Sequence, residues 1–240
     1  MTVSPRESAL LVGMADDTVA PLLPRLAPVS FRPGDVLFAE GDPGDHLFLL
    51  TDGRVKLGHL AHDGRVGLTG VAGPGDFFGE TSIIDPSPHA FRAVAMTLGR
   101  AVTLDRTTLV WWTERRPEVA EQLLRILARR VRRSCRAVSE VLCDDAATRL
   151  AQRLIDLAQQ FGRQRDGTVA LEHGLTQEEI AQLIGTSRET VCKVLQDFGR
   201  RGWVRLDGKT IVIVDGDGLA RRSRASSAAE LAAFRPMPCG

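Results

Sequence analysis

The stretch from Thr176 to Leu206, TQEEIAQLIGTSRETVCKVLQDFGRRGWVRL, leaves little choice about how it folds. Thr176 followed three residues later by Glu179 is a capping box. The helix it opens carries Ile180, Leu183 and Ile184 on one face, with Ala181 where a second helix can come close. Gly185 stops that helix. After the turn Gly185-Thr186, the Ser187 hydroxyl is placed to cap a second helix, whose apolar residues Val191, Val194, Leu195 and Phe198 recur at three- and four-residue spacing. Two short helices joined through a glycine-containing turn form a helix-turn-helix. Trp203-Val204-Arg205-Leu206, the pair Asp207-Gly208, and then Lys209 to Val214 read as two strands about a two-residue turn, which makes the arrangement a winged helix-turn-helix.

What the second helix shows to solvent sets its chemistry. Arg188 and Glu189 fall in its first turn and Lys193 one turn on, all off the apolar face. Arg can bond guanine O6 and N7 as a fork, Glu can accept from cytosine N4, and Thr190 with the helix N-terminus suits phosphate oxygens. On an arbitrary helix an Arg-Glu pair at the start is as often a solvated face. Here the adjoining turn signature favours double-stranded DNA as the partner, with Lys209 beside the wing tip and in reach of phosphate. Charge is distributed to match. The net charge of the chain is only +1, but residues 1–116 hold 11 Lys+Arg against 14 Asp+Glu, whereas residues 117–240 hold 20 against 16. The basic half is the half with the helix-turn-helix, as a polyanionic partner requires.

No apolar run approaches a membrane span and the first residues lack the pattern of a signal peptide, so the expected location is the cytoplasm and no membrane partner is expected. Cys135, Cys143, Cys192 and Cys239 are scattered with no C-x-x-C, which gives neither a disulfide frame nor a zinc site. No G-x-S-x-G, phosphate-binding loop or H-E-x-x-H is present, and an enzyme is not expected.

At 240 residues the chain can build two domains. Residues 1 to 28, with Leu10, Leu11, Val19, Leu22, Leu23 and Leu26 between prolines, allow one or two short helices. From Val29 onward, short apolar runs alternate with turn clusters about every ten residues: Arg32-Pro33-Gly34-Asp35, Gly41-Asp42-Pro43-Gly44-Asp45, Thr51-Asp52-Gly53, His62-Asp63-Gly64 and Gly73-Pro74-Gly75-Asp76. That spacing predicts an antiparallel β-roll or jelly roll. His59 and His62 flank one hairpin tip, but with no third ligand nearby they read as solvated loop residues, and no metal is expected. Gly79-Glu80, in a loop joining strands, offers backbone N–H groups and one inward carboxylate, a pair able to hold a ribose hydroxyl. Glu80 is equally well placed to cap the helical turn from Thr81 to Ile84.

Trp111 and Trp112 sit in a short predicted helix ending before Pro117. One long helix follows, to about Cys143. Ala120, Leu124, Leu127, Val131, Ser134, Val138 and Val141 repeat at four and three residues, the spacing of a two-stranded coiled coil, while Leu123 and Ile126 form a second line able to pack on the β-roll. Arg125, Arg129, Arg130, Arg132, Arg133 and Arg136 read as its solvated sides. Asp144 and Asp145 break the helix and form a candidate hinge. Asp145 caps the next helix, with Leu150, Leu154, Leu157 and Phe161 on one face, and residues 163 to 174 read as a charged loop and short strand.

The turn pattern Arg-x-Gly-Asp, Glu-Gly-Asp, Gly-Asp, the segment Phe78-Gly79-Glu80 and the helix Ser187-Arg188-Glu189-Thr190-Val191 together resemble the cyclic-AMP receptor and fumarate-nitrate regulator (CRP/FNR) superfamily of bacterial transcription factors, over about residues 10 to 220. Stretches such as Glu121-Gln122-Leu123-Leu124-Arg125 and Leu175 to Leu183 are similar to actinobacterial cyclic-AMP-receptor-type regulators. With the spacing arguments, the resemblance implies an α+β fold. A cyclic-nucleotide-binding-type β-roll spans 1–116, a dimerisation helix 117–143 and a winged helix-turn-helix 144–218; the tail 219–240, rich in Ala, Ser and Arg, reads as a frayed helix and then disorder. The resemblance implies a homodimer in which a small molecule in the β-roll touches the long helix of both subunits and turns the DNA-binding domains into register, with RNA polymerase as a further partner.

The family's functional positions carry over unevenly. Arg188, Glu189 and Lys193 fall where the family reads bases, and Thr176, Ser187 and Thr190 where it contacts phosphate; Gln177 and Lys209 complete the expected DNA-binding set. Gly79 and Glu80, with Thr81 beside them, are retained for the ribose, and Ser134 and Cys135 occupy the long-helix positions that meet adenine. Where the family grips the cyclic phosphate with Arg and Ser/Thr, this chain has His89 and Ala90. A charge-assisted hydrogen bond contributes roughly 1.5–3 kcal/mol, so loss of the Arg fork alone weakens phosphate binding about 10- to 150-fold. A cyclic nucleotide, cyclic AMP or another, is therefore the implied ligand, with tight cyclic-AMP binding not expected. The alternative is a ligand-independent redox or gas response through Cys135 and Cys143.

Overall fold

Four of the five predicted turn clusters lie at strand ends, and three of them use one device, while His62-Asp63-Gly64 lies outside the described residues. The carboxylates of Asp35, Asp42 and Asp76 each accept the backbone N–H three residues earlier, from Arg32, Ala39 and Gly73, at 2.7–2.8 Å. Such Asx bonds turn the chain without a helix or ladder partner. The computed structural model describes residues 2–60, 66–165, 167–208 and 210–223. Its contacts divide the chain into two units, residues 1–133 and 134–240.

In the first unit, helix α1 (Asp16–Val19) lies between two 3-10 turns, Pro5–Glu7 and Leu23–Arg25. Strands β1 (Ala27–Phe31), β2 (Val36–Phe38), β3 (His46–Asp52), β4 (Val55–Leu60), β5 (Val66–Ala72) and β6 (Phe77–Phe78) follow, then α2 (Glu80–Ile84), β7 (Arg92–Ala95), β8 (Gly99–Asp105), α3 (Arg106–Arg115) and α4 (Pro117–Cys143). The strands form two four-stranded antiparallel sheets, ordered β1-β8-β3-β6 and β2-β7-β4-β5. Strand β3 shows why its sequence is apolar at consecutive positions instead of alternating: both its faces are covered. Phe48 and Leu50 point into a core with Phe31, Phe38, Val55 and Phe78, while Leu47 and Leu49 join Leu10, Leu11, Leu22, Trp112, Val119, Leu123 and Ile126. The N-terminal leucines are thus the lid on the outer face of a sheet. Helix α3 is capped by Asp105, which accepts from Thr108 N at 2.8 Å, and the buried Trp112 donates its Nε1–H to Thr18 O at 2.9 Å.

Along α4 the two apolar lines separate as expected. Val119, Leu123 and Ile126 are buried, whereas Leu124, Val131, Val138 and Val141 are 53–66% exposed in the single chain. The break at Asp144-Asp145 ends α4 but does not divide the units, which part inside the helix after Arg133. The reason lies in the last turns of α4: Ala137, Glu140 and Val141 share a cavity of about 40 Å³ with residues of the second unit, among them Arg149, Leu183 and Ile184.

The second unit continues with α5 (Ala146–Phe161), β9 (Gly162–Arg165), β10 (Thr168–Leu171), α6 (Gln177–Ile184), α7 (Arg188–Arg200), β11 (Val204–Asp207), β12 (Thr210–Ile213) and α8 (Gly216–Ser223). Asp145 caps α5, accepting from Thr148 N at 2.8 Å. Residues 163–174, expected as a loop and one short strand, instead supply two strands. Val169, Ala170 and Leu171 pair with Ile213, Val212 and Ile211, and the polar β9 pairs along the remaining edge, giving one sheet ordered β11-β12-β10-β9.

The fold also does not stop at Gly218. The expected tail over 219–240 begins inside α8, where Leu219, Ala220 and Ser223 are buried; residues 224–240 lie outside the described residues. Arg222 donates Nη2 to both carboxylate oxygens of Asp145 at 2.6 Å and Nη1 to Thr148 Oγ1. That guanidinium, the largest influence, and the Thr148 N–H hold the Asp145 carboxyl down to about 2 from its ordinary 3.8. A carboxyl with a depressed folded-state pKa stabilises the fold above its ordinary pKa and loses that contribution as pH falls through the folded value. Arg222→Ala is therefore expected to lower the melting temperature at pH 7, and the gap to wild type to close between pH ~4 and pH ~2. Because Asp145 is 65% exposed, the effect is set at about 1 kcal/mol at most. Melting curves of both proteins across that range check it.

Candidate functional site

The helix-turn-helix is built as its sequence implies. Thr176 Oγ1 accepts from Glu179 N at 3.2 Å while Glu179 Oε2 accepts from Thr176 N at 2.8 Å, a reciprocal cap that fixes where α6 starts. The helix ends at Gly185 in the left-handed conformation, φ 63°. Ser187 Oγ then accepts from Thr190 N at 3.2 Å and starts α7. Val191, Leu195 and Phe198 are at most 1% exposed and fix the rotation of α7. Arg188, Glu189 and Lys193 consequently stand exposed on its outer side. The Glu189 carboxyl is held below the usual carboxylate range by its own backbone N–H, then by Ser187, so it stays an acceptor at neutral pH. Gln177, the first residue of α6, accepts from the Cys192 thiol of α7 at 2.7 Å, a link between the helices that the apolar pattern did not reveal. Thr176 and Gln177 thus stand at the start of α6, Ser187, Arg188, Glu189 and Thr190 at the start of α7, and Lys193 one turn further along α7, next to the Cys192 that bonds Gln177. Lys209 lies outside the described residues.

In the first unit, Gly79, Glu80, Ser82 and His89 come together. Gly79, at φ 85°, caps α2 from the left-handed region. A Cβ there would lie 2.7 Å from His46 O, so only glycine fits. Neither carboxylate oxygen of Glu80 bonds the backbone of α2. Instead Glu80 is 2% exposed and accepts from Arg130 Nη1. Arg130 Nη2 bonds Phe77 O, and its guanidinium lies 4.5 Å from the centroid of the Phe77 ring. Arg130 is thus not one of the solvated arginines of α4. Its partner is 50 positions away in sequence, so nothing local marks it. The second oxygen of Glu80, Oε2, is buried and without a hydrogen-bond partner.

His89 is 4% exposed, stacked on Phe38 at 3.7 Å between ring centroids, with Nδ1 3.3 Å from Ser82 Oγ. Burial pushes its pKa down, against the opposing pull of Asp42 and Asp45, so the ring is neutral at pH 7. Thr81 and Ala90 are exposed, as are Ser134 and Cys135 in the second unit. Cys135 and Cys143 are free exposed thiols on α4. Their separation along the helix is about 12 Å at 1.5 Å per residue, too far for a bond within one chain. His59 Nδ1 meets Glu40 Oε2 at 2.8 Å, while His62 lies outside the described residues. Among the described residues no group of three or more His, Cys, Asp or Glu is placed to hold a metal ion, and no helix is long and apolar enough to cross a membrane.

Comparison with known proteins follows the same two units. Residues 28–115 match the cyclic nucleotide-binding domain family and residues 148–222, α8 included, match the Crp-like helix-turn-helix domain family. The chain is 48% identical to the CRP-like cAMP-activated global transcriptional regulator of Mycobacterium tuberculosis strain H37Rv, over 90% of this chain and 97% of that protein. The chain belongs to the CRP/FNR family of transcription regulators. A second relative in that family, the cyclic AMP receptor protein of Thermus thermophilus, is 32% identical over 86% of this chain and 92% of its own. Among solved structures, the CRP/FNR-family regulator TTHA1359 from Thermus thermophilus superposes with TM-score 0.69 at 27% identity, covering 82% of this chain and 98% of that one. FixK2 from Bradyrhizobium japonicum shares the fold with TM-score 0.75 at 21% identity, covering 84% and 99%. The CRP/FNR relatives are regulators, not enzymes, and the helix-turn-helix is the DNA-binding part of this one.

Proposed function

We propose that the protein is a homodimeric, sequence-specific regulator that acts in the cytoplasm on a two-fold symmetric operator and communicates with RNA polymerase. The observation that carries the reading is the exposure of Arg188, Glu189 and Lys193 on the side of α7 opposite its buried Val191-Leu195-Phe198 stripe. These three side chains read base edges. Thr176, Gln177, Ser187, Thr190 and Lys209 hold phosphates and set register. The exposed seam of α4 pairs with its copy in a second chain, which places two reading helices about one DNA turn, ~34 Å, apart. Residues 1–116 form the effector domain, 117–143 the dimerisation helix, and the DNA-binding domain runs from 144 through α8.

Selection from random duplexes tests this. A two-fold symmetric site is expected, and Arg188→Ala should relax one base pair per half-site at a cost of about 1–3 kcal/mol. A wild-type protein that recovers no preferred sequence at physiological salt defeats the reading.

The effector reading is narrower. A cyclic nucleotide would place its ribose at Gly79 and Glu80, where the unpartnered Oε2 suits a hydroxyl donor, and its base toward Ser134 and Cys135. The residues fit that half of the ligand and not the phosphate half. His89 is neutral and already stacked on Phe38, and Ala90 has no hydroxyl. Cyclic AMP is thus held weakly, and the protein responds to a different nucleotide or works without one.

A further inference from the structure

Arg149, in the first turn of α5, bonds three backbone carbonyls at once. Its Nε donates to Ile184 O at 2.7 Å and its Nη2 to Gly185 O at 3.2 Å, while Nη1 donates to Asp144 O. Ile184 and Gly185 carry the last carbonyls of α6 before the chain turns into α7, and carbonyls at a helix end have no partner within the helix. The neighbouring Ala181 and Gln182 carbonyls are satisfied locally by the N–H groups of Gly185 and Thr186. Asp144 is the junction between α4 and α5. One planar guanidinium, with five donors and a charge that is not lost at any ordinary pH, therefore ties the turn of the helix-turn-helix to that junction.

We propose that Arg149 is a positioning residue for DNA reading: by holding the α6–α7 turn against the α4–α5 junction it sets the angle at which α7 presents Arg188, Glu189 and Lys193. The inference rests on the proposed reading of α7 as the base-contacting helix. Asp144-Asp145 is pinned by Arg149 on one side and Arg222 on the other, and is a fixed part of the DNA-binding unit instead of a free hinge. Arg222 supplies the contrast, because it ties α8 to the same end of α5 without touching the turn.

The test compares Arg149→Ala, Arg149→Lys and Arg222→Ala in the full chain. Melting temperature is measured for each, together with affinity for the duplex selected by wild type and for a scrambled duplex. Lysine keeps the charge and stem but has a single nitrogen, which cannot reach three carbonyls; it carries the test if the alanine variant does not fold. Both Arg149 variants are expected to lose about ten-fold in the ratio of selected to scrambled affinity, whereas Arg222→Ala melts lower with its ratio unchanged. The inference is overturned if the Arg149 variants keep the wild-type ratio within about two-fold. It is equally overturned if the ratio falls in Arg222→Ala in step with its melting temperature, since both arginines would then merely stabilise the unit. A wild type that prefers no duplex defeats the DNA reading itself and is recognised before any variant is made.

Discussion

A chain carrying Val131→Glu and Val138→Glu should sediment as a monomer and bind the selected operator roughly 10²–10⁴-fold more weakly than wild type, the range by which two linked binding events exceed one. The two valines are 61% and 60% exposed in the single chain; Val131 belongs to neither core cluster of the first unit, and Val138, in the second unit, is not among the residues that line its cavity. Each unit should therefore keep its fold and its melting transition. The loss is specific to pairing: apolar residues at coiled-coil seam positions are replaced by like charges that face each other across the two-fold axis. Affinity for a duplex bearing only one half-site should be nearly unchanged, because each α7 is intact. Analytical ultracentrifugation with titrations on one- and two-half-site duplexes checks both statements. A dimer that survives the two glutamates would remove the α4 seam from the account.

The second large effect is a gain. His89→Arg with Ala90→Thr returns the charge and hydroxyl with which the family grips the cyclic phosphate, and cyclic-AMP affinity should rise about 10- to 150-fold from the arginine alone. Burial works against a charge at 89, but Asp42 and Asp45 pull the group there toward the protonated form, and a bound phosphate would add its own counter-charge. Calorimetry with cyclic AMP on both proteins measures the difference. Low-micromolar binding by wild type would show that the neutral imidazole serves the phosphate well enough, and an unchanged affinity in the double variant would place the ligand elsewhere.

How much of this was legible in the sequence follows from how local each cause is. The start of α6 depends on Thr176 and Glu179, three residues apart, and that of α7 on Ser187 and Thr190, so both can be read from the chain directly. The coiled-coil seam and the leucine line beneath it are also periodic over short distances. The bond between Arg130 and Glu80, and the three carbonyls held by Arg149, depend on partners 35 to 50 positions away, apart from Asp144. An arginine with such a partner looks like any solvated arginine until the fold is known. Strand β9, Gly162–Arg165, was missed because an edge strand bonded on one side needs no apolar alternation. The end of the fold was misread for a different reason. The Ala, Ser and Arg composition after Gly218 reads as a frayed helix and then disorder, yet Asp215 Oδ1 accepts from Gly218 N at 2.8 Å and starts a packed helix there. Gly218 is glycine because a Cβ would come within 2.5 Å of the Trp203 indole, not because the chain turns away.

That last helix bears on how the protein can be handled. A version cut back to Gly218 for crystallisation or for fusion to a reporter would strip Leu219 and Ala220 from the flank of α5 and discard Arg222. It would leave an uncovered apolar strip on α5, and the product would be expected to clump during purification. Affinity tags belong after residue 223.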